Sequence, residues 1–172
     1  MKIIETQRLL LREFNLDDVD DVYEFSSNPD VLTYTGEQPL TKKSQALDII
    51  NNIWFSDYAK YGFGRWAVIN KSDNKLFGFA GLKYLADIDE VDIGYRFLPQ
   101  YWGQGLATEA ANPIMKYGFE ELDLKRIIGI AMEENVASCK ILEKIGLKFY
   151  KTAKYPNTEN IFKWYKLDNE SN

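Results

Sequence analysis

Gly103 and Gly105, set between the run Asp92–Phe97 and the run Leu106–Ala111, are the residues whose spacing could do chemistry. Ile93, Tyr95 and Phe97 alternate with other side chains in a stretch rich in β-branched and aromatic residues, the pattern of a strand. Pro99 ends that strand, since it has no N–H for a ladder. Leu106 to Ala111 are good helix formers. A helix start leaves its first N–H groups without internal partners. Together with the positive end of the dipole they can hold an anion, and glycines let that ligand approach the backbone. A charge-assisted hydrogen bond contributes about 1.5–3 kcal/mol and the dipole about 0.3–1 kcal/mol, so several together could hold a diphosphate.

Two common phosphate loops are disfavoured by the residues that follow. A nucleoside-triphosphate loop needs Lys and Ser or Thr after its last glycine, and Leu106 and Ala107 stand there. A dinucleotide fingerprint needs a third Gly or Ala three residues on, where this chain has Thr108. The chain has no histidine, which removes imidazole bases, histidine triads and histidine-bound zinc. Its single cysteine, Cys139, excludes an internal disulfide and a cysteine-built metal site, so no metal is expected. Proton transfer is left to carboxylates, Tyr, Lys, Cys, backbone or water. The formal net charge is −5 and the basic residues are scattered, which makes nucleic acid a poor partner and suits a cationic or amine substrate. No apolar run approaches the length that crosses a bilayer, and charges interrupt the start MKIIETQRLLLREF. A cytoplasmic protein without a membrane partner is the expectation.

The elements that must position the glycine loop can be read in order. The 172 residues suffice for one well-packed domain, 1–172, and with 45% hydrophobic residues core material is ample. Arg8–Phe14 reads as a strand. Asp17 is the expected cap of a helix carrying Val19, Val22, Tyr23 and Phe25 and closed at Asn28-Pro29. The carboxylates crowded at its start lack the glycine and closing Glu of a calcium loop. Thr41 is the expected cap of a second helix with Ala46, Ile49, Ile50, Ile53 and Trp54 on its buried stripe. After Gly62–Gly64 come strands at Arg65–Ile69 and Leu76–Tyr84, where Gly78 and Gly81 suggest a bulge or a close backbone approach. A helix from Gly105 to Phe119 contains Pro113, which should kink it. A strand at Lys125–Ala131, a helix from Asn135 to Ile145 ended by Gly146, and strands at Leu147–Lys154 and Asn160–Leu167 complete the chain. The class is mixed α/β (α+β): a mostly antiparallel sheet of about six to seven strands, about four helices, and one β-α-β crossover around the glycine loop.

Several of these segments together resemble one family. Gln100-Tyr-Trp-Gly103-Gln-Gly105 matches the Q/R-x-x-G-x-G/A motif of the GNAT N-acetyltransferase superfamily. TQRLLLREF, NPDV, DIGY and NVASCKILEKIGL resemble, in the right order over about 150 residues, the branch of ribosomal-protein N-terminal acetyltransferases (RimJ/RimL type). The resemblance implies an acetyl-CoA-dependent transfer to a primary amine, with strands splayed at the acetyl-CoA site. Backbone groups of Tyr95 and Phe97 would pair with pantetheine, and an N–H near Phe97 would polarise the thioester. The segment Gln100, Trp102, Gly103, Gln104, Gly105, Leu106 and Ala107 would hold the diphosphate, and Asn135 would bond the pantetheine or simply cap a helix. Ser138 is the candidate acid, because Leu142 stands where many members carry a Tyr. Asp92 is the candidate base through water, with Glu90 and Glu159 as weaker rivals. Gln104 replaces a common Lys or Arg, which lowers the charge beside the phosphates. Cys139 points to another helix face than Ser138 and reads as packing. The acceptor is a protein N-terminus or a small-molecule amine such as a polyamine, amino sugar or antibiotic; a non-catalytic CoA-binding module is the other alternative. Monomer and homodimer both stay open.

Overall fold

The computed structural model describes residues 3–169. Met1 and Lys2, which begin the charged start read above, lie outside them, as do the last three positions of the expected domain. The strands are β1 (Ile3–Glu5), β2 (Leu9–Arg12), β3 (Arg65–Asn70), β4 (Lys75–Leu85), β5 (Glu90–Phe97), β6 (Arg126–Met132), β7 (Lys148–Lys154) and β8 (Ile161–Asp168). They form one eight-stranded sheet in the order β1-β2-β3-β4-β5-β6-β8-β7. Every neighbouring pair is antiparallel except β5 and β6, which run parallel and are connected through helix α5 (Leu106–Glu120). The expected class and crossover are both present. The strand beyond those expected is β1, a short segment folded back on β2 with Ile4 opposite Leu11.

The remaining helices are α1 (Val19–Ser27), α2 (Pro29–Leu32), α3 (Lys43–Ile49), α4 (Phe55–Tyr61) and α6 (Val136–Lys144). A π-helical turn, Ile50–Trp54, joins α3 to α4, so the expected second helix runs on to Tyr61. Strand alternation divides the core in two. Trp66 of β3 meets Tyr117 of α5 on one face. Phe79 of β4 meets Phe25 of α1 and Trp54 on the other. Among the described residues no helix is long and apolar enough to cross a membrane.

Two caps differ from expectation. Asn15, not Asp17, opens the first helical segment: its side chain accepts from the Asp17 N–H at 2.8 Å, and the Asp18 carboxylate accepts from the Asn15 N–H at 2.9 Å. Asp18 is held there because Arg12 clamps both its oxygens, at 2.7 and 2.8 Å. Before α3 the Gln45 side chain accepts from the N–H groups of Thr41 and Lys42, at 2.8 and 3.0 Å, so the cap comes from inside the helix. Both suggestions for the β4 glycines are realised. The register slips between Val68 and Ile69 opposite Gly78, and a Cβ on Gly78 would lie 2.0 Å from the Arg96 carbonyl oxygen. The helix α5 continues through Pro113.

Candidate active site

Strand β5 pairs with β4 along its whole length, from Glu90 opposite Leu85 to Phe97 opposite Gly78. Just beyond, the Leu98 N–H donates to the Phe77 carbonyl at 2.9 Å. Hydrogen-bonding direction alternates along an antiparallel strand, so Arg96, Gly94 and Asp92 turn their backbone groups to β4. Those of Tyr95 and Phe97 turn the other way, toward β6. Among the described residues a single bridge, Asp92 opposite Ile128, joins β5 to β6. Past it the two strands separate into a wedge, and the Tyr95 and Phe97 backbone forms one wall. One group there is taken: the Phe97 carbonyl accepts from Trp102 Nε1 at 2.7 Å. The wall keeps the Tyr95 N–H and C=O and the Phe97 N–H, donors and acceptors suited to an extended ligand lying as an added strand.

The glycine loop stands at the wedge mouth. Gly103 and Gly105 have φ of 69° and 77°, a region glycine enters without strain, and Gly105 caps α5. Among the described residues no hydrogen bond reaches the amides from Gly103 to Thr108; the Glu109 N–H is the first to find a partner, the Gly105 carbonyl at 3.0 Å. These free donors, at the positive end of a 15-residue helix, fit a diphosphate. The loop is braced from outside. Gln104 Nε2 donates to the Gln100 carbonyl at 2.8 Å, and Gln100 is exposed. Arg8 donates to the Gln104 carbonyl at 3.0 Å and to Glu109 at 2.6 Å, and Thr6 donates to Glu109 at 2.7 Å. Burial raises the Glu109 carboxyl, but these donors outweigh it and hold the group below its ordinary range. Arg8 thus puts a cation beside the loop that Gln104 deprives of one. Arg8, Lys71, Ser72, Gln104 and Leu106 line a cleft of about 370 Å³ there.

The other wall is the start of α6. The Asn135 side chain accepts from the Ser138 N–H at 3.1 Å, so its oxygen caps the helix, while its amide nitrogen has no partner among the described residues. Ser138 Oγ lies 2.9 Å from the Tyr95 hydroxyl, which also donates to the Ser138 carbonyl at 3.2 Å. Burial pushes the Tyr95 phenol well above its ordinary value. Leu142 is buried in the core, so the phenol at this site comes from β5. Cys139 is buried in packing, as its helix face suggests.

The face of β5 turned away from α6 carries the charges. Asp92 at the wedge apex accepts from Arg65 Nη2 at 2.6 Å, and both side chains are mostly buried, at 13% and 12% exposed. Burial raises the Asp92 carboxyl above its ordinary range against the opposing pull of Arg65. The guanidinium lies flat on Gly94: a Cβ there would sit 2.5 Å from Arg65 Nη2. Trp54 and Trp66 are core residues, whereas Trp102 is 49% exposed at the loop. Glu90 and Glu159 are engaged by Arg126 and Lys154, at 3.3 and 2.6 Å. Among the described residues no group of three or more Cys, Asp or Glu could hold a metal ion.

The structure therefore gathers Asp92, Tyr95, Phe97, Asn135 and Ser138 around one wedge, with Trp102 to Ala107 at its mouth. Sequence reasoning missed Arg65, Arg8 and Glu109, and the side-chain role of Tyr95. Arg8 stands inside a recognised motif and Glu109 in the run after the glycine loop, but they are 101 residues apart, and one sequence gives no signal that pairs them.

The acetyltransferase (GNAT) domain model matches residues 8–148. The uncharacterized N-acetyltransferase YnaD of Bacillus subtilis is 35% identical, over 84% of this chain and 82% of its own length. The spermidine N(1)-acetyltransferase of Escherichia coli K12 is 30% identical, over 79% of this chain and 70% of its own. The crystal structure of a GNAT-family acetyltransferase from Bacillus anthracis superposes with a TM-score of 0.83 at 30% identity, covering 98% of this chain and 99% of that one. The wedge, its free amides and these matches agree: the chain belongs to the GNAT acetyltransferase family and is an acetyl-CoA-dependent N-acetyltransferase.

Proposed function

We propose that this enzyme, working as a single domain in the cytoplasm, acetylates an α-amino group, with a peptide N-terminus as the favoured acceptor. The observation that carries the reading is the single bridge at Asp92, past which a free backbone wall leads to a run of unbonded amides. Pantetheine lies along Tyr95 and Phe97, held on its other side by the free Asn135 amide, and the diphosphate sits on Gly103 to Ala107. The Phe97 N–H faces the thioester oxygen and stabilises the charge that develops there. The amine attacks directly: its nitrogen bonds to the acyl carbon, and the C–S bond breaks. Asp92, held by Arg65 and with its other oxygen uncommitted, takes the amine proton through water. Ser138, hydrogen-bonded to Tyr95, returns a proton to the departing thiolate.

The acceptor follows from proton arithmetic. A lysine amine, with a pKa near 10.4, costs about 4–5 kcal/mol to neutralise at pH 7, whereas an α-amine near 7.7–8.0 costs about 1 kcal/mol. A site without histidine meets the smaller demand more easily. A second reading, a polyamine or other small amine, is favoured by the relative named a spermidine acetyltransferase and by the net charge of −5. A panel of peptides, amino acids, polyamines and amino sugars, read by the mass of the acetylated product, separates the two. Acetylation of polyamines without any α-amine would select the second reading. Binding of CoA with no acceptor turned over would leave a CoA-binding module.

A further inference from the structure

On the charged face of β5 the geometry points to a carboxylate-binding subsite for the acceptor, with Arg96 as its anchor and Glu37 as its resident stand-in. Arg96, Gly94 and Asp92 share that face, opposite Phe79, Gly81 and Lys83 of β4. The Arg96 guanidinium lies over the Phe79 ring, 5.2 Å from its centre, and is only 15% exposed. Its fork is filled by both Glu37 oxygens, each at 2.9 Å. Glu37 is 58% exposed and belongs to the segment between α2 and α3. The same segment passes the β7–β8 connection, where a Cβ on Gly36 would lie 3.6 Å from Asn160 Nδ2.

The asymmetry of the pair decides the class of ligand. Glu37 can swing into water at little cost, but Arg96 cannot be left buried and unpaired without several kcal/mol of penalty. An acceptor carrying its own carboxylate displaces Glu37 and keeps the two-point pairing, for which a guanidinium fork is shaped. A cationic acceptor finds no partner in Arg96 and is repelled by its charge. Distance sets the spacing. This subsite rests on the proposed transfer at the thioester facing the Phe97 N–H, and one residue of strand is about 3.3 Å, so the carboxylate lies only a few bonds from the amine. Free acidic or simple α-amino acids and peptides beginning with Asp or Glu share that chemistry.

The test has a binding arm and a turnover arm. Calorimetry with N-acetyl-L-glutamate, a product-like carboxylate, is run on wild type, Glu37→Gln and Arg96→Gln. Removing the internal competitor should tighten binding about tenfold, and Arg96→Gln should weaken it at least about tenfold, the loss of a charge-assisted pair. In turnover, Arg96→Gln should raise KM for acidic amino acids and acidic-start peptides by about ten- to a hundredfold while leaving their amide counterparts within about threefold. Free amino acids and peptides as separate arms tell the two sources apart. Binding that follows this pattern without turnover would sink the transferase reading and keep the subsite. Turnover indifferent to the carboxylate, or a Glu37→Gln variant that binds the probe no tighter than wild type, would overturn the subsite alone.

Discussion

Asp92 and Arg65 are a residue-scale compromise between stability and reactivity. Burial drives the Asp92 proton affinity up and Arg65 draws it down, and the carboxyl titrates above its ordinary range; in the proposed mechanism its ionised form is the base. A base must be ionised, so kcat/KM should fall as pH drops through that raised value. Arg65→Gln removes the downward pull and should move this acid limb to higher pH. Asp92→Asn should abolish the limb and lower kcat/KM about 10²–10⁴-fold, with the acceptor's own ionisation common to all three profiles. Stability carries the opposite sign. A carboxyl raised in the folded state favours folding at low pH, and that contribution is lost as pH rises through the folded value. Arg65→Gln should therefore destabilise the protein by about 3–5 kcal/mol near neutrality and by less in acid, in denaturant melts at the two pH values. Ser138→Ala and Tyr95→Phe should both lower kcat with little change in KM for acetyl-CoA; equal losses in kcat and affinity would make the pair structural instead. Ser138 and Asp92 could be named as candidates from the sequence because each falls in a motif. Arg65 could not be, because its function comes from lying flat on Gly94, a contact made 29 residues away in the chain through two turns of sheet.

At the scale of elements, the loop and α5 behave as one braced unit. Gly105 holds φ at 77°, where a Cβ costs about 1–2 kcal/mol, and its amide lies in the unbonded run. Gly105→Ala should lower stability by that amount and raise KM for acetyl-CoA, measured by steady-state kinetics at saturating acceptor. Arg8→Ala removes the cation beside the loop and the tie to the Gln104 carbonyl, while Glu109 keeps its bonds from Thr6 and the residue 8 N–H. It should raise KM for acetyl-CoA several-fold while leaving kcat nearly intact; an unchanged KM would show the brace to be ornamental. The strands and helices that carry the site were readable from their periods of two and 3.6, since each buries one face. The caps were not, because Asn15 and Asp17 are equally good cap residues and Arg12 alone decides between them by fixing Asp18. Strand β1 is too short to show an alternation, and the π-helical turn before α4 has no sequence signature distinct from an α-helix.

For the molecule as a whole, the wedge is a sheet left unfinished. Among the described residues six of its seven strand junctions are antiparallel ladders, and the parallel one has a single bridge at Asp92. The strands on either side are also tied together through α5, the Tyr95–Ser138 contact, the Arg126–Glu90 ion pair and the Tyr155 donation to Asp87. A ligand that fills the wedge with main-chain hydrogen bonds therefore joins two halves of the sheet, and its binding free energy is stability. At a concentration one hundred times Kd, acetyl-CoA should add about 2.7 kcal/mol. For a chain of this length, that corresponds to a rise in Tm of about 5–10 °C. Hydrogen exchange locates the effect: the amides of Tyr95, Phe97 and Gly103 to Thr108 should slow on binding, whereas those of β2 and β3, already laddered on both sides, should change only with global stability. A thermal shift without that local protection would mean the ligand binds elsewhere on the sheet. No shift at saturating acetyl-CoA would remove the wedge as the binding site, and the catalytic assignments of Asp92 and Ser138 would go with it.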